Sequence, residues 1–108
     1  MPNEIHDDAK GLLLYAQTDG WIYETLVKPT ERLLRQKWDF GIYNQPAAVR
    51  AWKHVIDAAA KKYVVEMGVG IPWYDRFSVT DRRTAAAEWA DQWFGEEEER
   101  RNEENTNG

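Results

Sequence analysis

The sequence predicts an all-α fold: a compact bundle of about four helices with a disordered acidic C-terminal tail. Three observations predict it. Apolar residues recur at spacings of three and four along several segments, as in amphipathic helices. Asn, Pro and Gly fall where such helices start and stop. The last segment, Glu96 to Gly108, contains no apolar side chain.

The first helix is predicted over about residues 7–18, where Ala9, Leu12, Leu13 and Ala16 share a face and Asp7 and Asp8 suit a helix N-terminus. Asp19-Gly20 reads as a turn. Residues 21–28 fit a short helix, but Trp21, Tyr23, Thr25 and Val27 also alternate with strand period, so both types stay open. Pro29 favours a break there and opens a helix over about 29–39, with Leu33, Leu34 and Trp38 on one face, Glu31–Arg35 as a surface pair, and Gly41 as its stop. The strongest pattern covers 46–67. Asn44 is its N-cap and Pro46 lies in its first turn. Val49, Trp52, Ile56, Ala59 and Tyr63 form a stripe that Val55, Ala60, Val64 and Met67 widen, and Gly68 follows at the C′ position. A connector, Val69 to Val79, leads to a last helix over about 81–94, capped by Ser78 or Thr80. Ala85, Ala86, Trp89 and Trp93 line that helix, and Gly95 is read as its stop. Alanine-rich faces on the last two helices predict close antiparallel packing, with tryptophans at the ends of the seam.

The chain has 108 residues, which sets one domain, read as 1–95, with 96–108 as the tail. A hydrophobic fraction of 43% and six tryptophans supply enough volume for a core. The absence of cysteine excludes disulfides, thiolate metal sites and a cysteine nucleophile. No apolar run reaches the roughly 18 residues of a transmembrane helix. The polar, acidic Met1 to Lys10 does not read as a signal peptide, so a cytoplasmic chain without membrane partner is expected. The net charge is −5, but the tail alone holds six acids against two arginines, which leaves the first 95 residues at −1.

No catalytic, cofactor or metal motif emerges. His6 sits beside Asp7 and Asp8 without the three or four converging ligands that a metal needs. His54 lies one turn before Asp57, but a triad with Ser78, the sole serine, is not implied by spacing, and a cap explains Ser78. Glu88 and Asp91 share a helix face as ordinary solvated acids do. Gly68-Val69-Gly70 lacks the rest of a phosphate loop. No catalytic residue and no cofactor is therefore assigned, and the chain is read as a non-enzyme.

Two surface features carry the functional reading. The connector places Trp73, Tyr74 and Arg76 together, residue types enriched at interface hot spots. Trp73 and Phe77 can instead cap the core, which leaves Tyr74 and Arg76 for contact. Phe40 and Tyr43 beside Gly41 raise the same question. Glu96, Glu97, Glu98 and Glu99 in the tail would steer toward a basic partner surface. Arg82, Arg83, Arg50 and Lys53 form an alternative nucleic-acid surface, but the acidic tail would repel phosphates and the connector is too long for a tight helix-turn-helix. The expected function is a protein-binding inhibitor or adaptor, in general style like accessory proteins of phages and mobile elements that block a nucleic-acid-handling or defence enzyme. A nucleic-acid-binding module and a structural homo-oligomer are the alternatives.

Overall fold

The computed structural model describes the backbone of residues 4–107 and the side chains of residues 8–104, and every regular element among them is helical. Helix α1 spans Glu4–Thr18 and begins three residues earlier than predicted. Its Ala9, Leu12, Leu13 and Ala16 are all buried. The side chains of His6 and Asp7 lie outside the described residues.

Asp19 caps the next rod, its Oδ1 accepting from the Ile22 N–H at 2.9 Å. The rod runs as α2 (Gly20–Ile22), a π-helical turn (Tyr23–Val27) and α3 (Lys28–Asp39). Residues 21–28 are therefore helical, and Pro29 does not break the chain. A proline offers no N–H to the carbonyl four residues back, and its ring crowds that carbonyl. The helix widens instead, with the Lys28 N–H reaching five residues back to the Tyr23 carbonyl. The widening matters for packing. Ile22 and Val27 would lie about 140° apart on a regular α-helix, yet both are buried together with Leu34. Leu33, placed in the core by the spacing, points outward, and Trp38 is half-buried. Gly41, at φ 72°, ends the rod in a left-handed conformation that suits glycine.

Helix α4 spans Gln45–Glu66, close to its predicted limits. Asn44 Oδ1 accepts from the Ala47 N–H at 2.8 Å, and Gly68 adopts φ 61° just past the end. Trp52, Val55, Ile56, Ala59 and Ala60 are buried, but Met67 lies outside the core. The connector holds a single helical turn, α5 (Trp73–Arg76), and Ser78 Oγ then caps α6 by accepting from the Asp81 N–H. Helix α6 is Val79–Asn107, more than twice the length predicted.

Two expectations fail at the end of α6. Gly95 does not stop the helix, and residues 96–107 are helical rather than disordered. A solvated glycine inside a helix costs only about 1 kcal/mol, and the sequence beyond it offsets this without apolar burial. Glu97 is 2% exposed. It accepts hydrogen bonds from Arg100 and Arg101 on its own helix and from Arg35 Nε of α3 at 3.2 Å. Arg101 also pairs with Asp39 at 2.9 Å and lies over the Trp38 ring. Arg35, predicted to pair with Glu31, is thus turned to α6. The extension is docked on α3 by one buried carboxylate among three arginines.

The core is built in aromatic tiers along α4 and α6, which run antiparallel as predicted. Trp52 stacks on Trp89 at 4.3 Å in the middle of the seam, not at its ends. Toward the start of α4, Trp38, Tyr43, Trp93 and Phe94 cluster with centroids 5.0–6.0 Å apart. Toward its end, Tyr63 meets Tyr15 and Phe77 edge-on. Ala59, Ala60, Ala85, Ala86 and Ala90 are fully buried between the tiers. Among the described residues no helix is long and apolar enough to cross a membrane.

Two outcomes follow from this packing. The buried Trp52 Nε1 has no hydrogen-bond partner among the described residues. Trp52→Ala should lose about 3–5 kcal/mol in urea unfolding. Trp52→Phe should lose well under half of that, because it removes an unsatisfied donor along with the smaller ring; equal losses would mean that the donor is paired. At Glu97, burial pushes the carboxyl up, but hydrogen bonds from Arg100 and Arg35 outweigh it and hold the group below the ordinary glutamate range. A lowered folded pKa contributes stability above the unfolded value that is lost as pH falls through the folded one. Amide protection at residues 98–104 should therefore collapse on acidification below the usual glutamate range. Glu97→Gln should weaken that protection by about 2 kcal/mol at neutral pH and leave the bundle's own protection in place.

Candidate functional site

The residues predicted to form a contact surface are only partly free to do so. Trp73 is half-buried, with the Lys61 ammonium 5.1 Å and the Arg82 guanidinium 4.7 Å from its ring centroid. Arg76 is committed. It pairs with Asp8 at 3.1 Å and its guanidinium lies over the Phe77 ring, which is buried. Tyr74 remains exposed, at 56%. In the α3–α4 loop, Phe40 is exposed while Tyr43 turns into the aromatic cluster and its hydroxyl donates to Gln45. Glu96, Glu98 and Glu99 lie exposed on a fixed helix, and Glu97 is withdrawn from any partner.

The alternative basic set is split in the same way. Arg82 is buried, its Nε donating to the Phe77 carbonyl and its Nη1 to Asp57 Oδ1 at 2.9 Å. Lys53 takes the other Asp57 oxygen. Only Arg50 and Arg83 of the four are exposed and outside these pairs. The same contacts disperse the His54–Asp57–Ser78 grouping, since both Asp57 oxygens face cations and Ser78 Oγ serves the α6 cap. Among the described residues no three His, Asp or Glu side chains converge as metal ligands would.

The structure forms a different site. A shallow, wide-open groove of about 740 Å³ lies between the start of α2 and the outer face of α4, lined by Trp21, Ala58, Lys61, Lys62, Val65 and Glu66. Trp21 is 56% and Val65 78% exposed, high values for such side chains. Ala58 lies half-buried at the bottom, while Val65, two helical turns further along α4, and Trp21 stand up from the surface on its borders.

Trp21 is held in place by a polar latch. Lys62 Nζ donates to Asp19 Oδ2 at 2.8 Å and also to Glu66, and Glu66 accepts from the Tyr15 hydroxyl at 2.8 Å. Asp19 is at once the α2 cap, so the latch ties the first turn of α2 to α4 and α1. The hydrogen bond to Lys62 holds both Asp19 and Glu66 below their ordinary values and raises Lys62. Burial and then the bond to Glu66 push Tyr15 up to about 12. Sequence reasoning missed this site because helical spacing marks what faces inward. Its one signal is Val65, an apolar residue off the core stripe of α4.

Comparison with known proteins returns no matching family model, no matching curated protein and no matching solved structure. The latch gives a testable pH window. A raised folded pKa, as at Tyr15, contributes stability that is complete below the unfolded value, about 10, and is lost as pH rises through the folded one. Denaturant midpoints should therefore fall between pH 10 and about 12. Tyr15→Phe should show a shallower fall over the same interval.

Proposed function

We propose that this chain is a non-enzymatic binding protein that acts by occupying a surface of another protein, as an inhibitor or adaptor. The observation that carries this reading is the groove between Trp21 and α4. Isolated apolar residues are normal on any surface, but an exposed indole and an exposed valine facing one concavity are a mark of a contact site. The latch holds the indole in place before any partner arrives, which lowers the ordering cost of association.

The α6 extension supports the same reading in a second way. Glu98, Glu99 and Glu103 are exposed on it, while Glu104 pairs with Arg100 at 2.7 Å, and a helix holds these charges in set positions. Charge held at a surface speeds encounter with an oppositely charged one. The groove lies level with the start of α6, since Asp57 just before it pairs with Arg82, and the acidic extension is at the far end. The anchor and the steering charge therefore sit at opposite ends of the molecule.

The test is affinity capture with the full chain as bait. A partner held by the native protein should be lost with Val65→Glu and weakened with Trp21→Ala, while Tyr74→Ala retains it. Val65 is solvent-exposed, so its substitution leaves the core intact, and a circular dichroism spectrum checks this. Identical capture by the native chain and Val65→Glu would remove the groove as the anchor.

A further inference from the structure

We infer that the groove receives an acidic amphipathic helix of the partner, laid along the outer face of α4. This rests on the protein-binding reading above and adds the chemistry of the occupant.

The first argument is shape. The outer face of α4 carries Ala47, Ala51, Ala58 and Val65 in one stripe, interrupted between Ala51 and Ala58 by the exposed His54, so its small side chains are continuous only from Ala58 to Val65. A helix can lie close to such a stripe. Ala58 and Val65 are separated by two turns, about 10.5 Å, the interval at which an amphipathic helix repeats its apolar anchors. Trp21 closes one side of the groove and supplies an aromatic face for an aliphatic anchor.

The second argument is charge. Four permanent cations border this face: Arg50, Lys53, Lys61 and Lys62. Lys53 is neutralised by Asp57, and Lys62 by Asp19 and Glu66. Arg50 and Lys61 are exposed, and neither has a carboxylate partner among the described residues. Lys61 lines the groove itself, where its one ring contact is with Trp73. Lys62 stands between two carboxylates, Asp19 and Glu66, so the latch carries one net negative charge on the Trp21 side of the groove. The cations of this face that have no carboxylate partner among the described residues are Arg50 and Lys61, and their charge is positive. It lies on one edge of the stripe, at two points three turns apart, about 16 Å. A helix with leucine-like anchors and flanking glutamates complements both features. A basic helix would set like charges together at the same points, which costs affinity and excludes it.

The probe is a synthetic amphipathic peptide of about four turns, with leucines on one face and glutamates beside them, titrated into the full chain. A second peptide has lysines in place of the glutamates. The acidic peptide should shift the amide resonances of Ala58, Lys61 and Val65, and added salt should weaken it. Its affinity should drop about tenfold or more with Lys61→Glu and with Val65→Glu, and the lysine peptide should bind at least that much more weakly than the acidic one. Equal binding of the two peptides overturns the inference, as does acidic-peptide binding that Val65→Glu leaves unchanged. If neither peptide binds while Val65→Glu still abolishes partner capture, the occupant is wrong and the contact surface stands. Sedimentation that shows a dimer dissolved by Val65→Glu would assign the groove to a second copy of the chain and likewise overturn the inference.

Discussion

The close approach of α4 and α6 is the constraint on which the rest of the structure hangs. Alanines let the two backbones draw together, and the space left between them is filled by the stacked pair Trp52 and Trp89. An indole stack is rigid and large, so it fixes the spacing of the two helices as well as their separation from water. Every other element is referred to that axis. The connector cap formed by Phe77, the Arg82–Asp57 pair and the aromatic cluster around Trp93 all lie along it. The outer face of α4 is left open because its inner face is fully used.

Most of the bundle was legible in the sequence because it is built from apolar periodicity and from caps. The core stripes of α1 and α4, the Asn44 cap, the Gly41 and Gly68 stops and the Ser78 cap follow from local chemistry. Periodicity failed where a helix does not depend on an apolar face. Residues 96–107 look solvated by composition, yet arginines three and four residues from Glu97 and a third across the helix pair make a helix there. A stripe count cannot register a single buried carboxylate.

The site was less legible than the fold. The arginines with the most suggestive positions, Arg76 and Arg82, serve the structure through Asp8, Asp57 and the rings of Phe77 and Trp73. Arginine suits both internal pairing and recognition, because one planar fork does both tasks. Sequence gives no means of telling which task a given arginine performs. The same holds for tyrosine, since Tyr43 is internal and Tyr74 is external although each follows a glycine- or proline-containing turn.

The π turn between Trp21 and Pro29 acts as a coupling that joins two shafts at a fixed angular offset. With it, Ile22 faces the core in step with Leu34, and its neighbour Trp21 is brought round to the lip of α4. One residue gained or lost inside that interval would swing the indole by about 100° and take away that side of the recess, even if every side chain around it were unchanged. The recess therefore depends on a count of residues as much as on the side chains that line it.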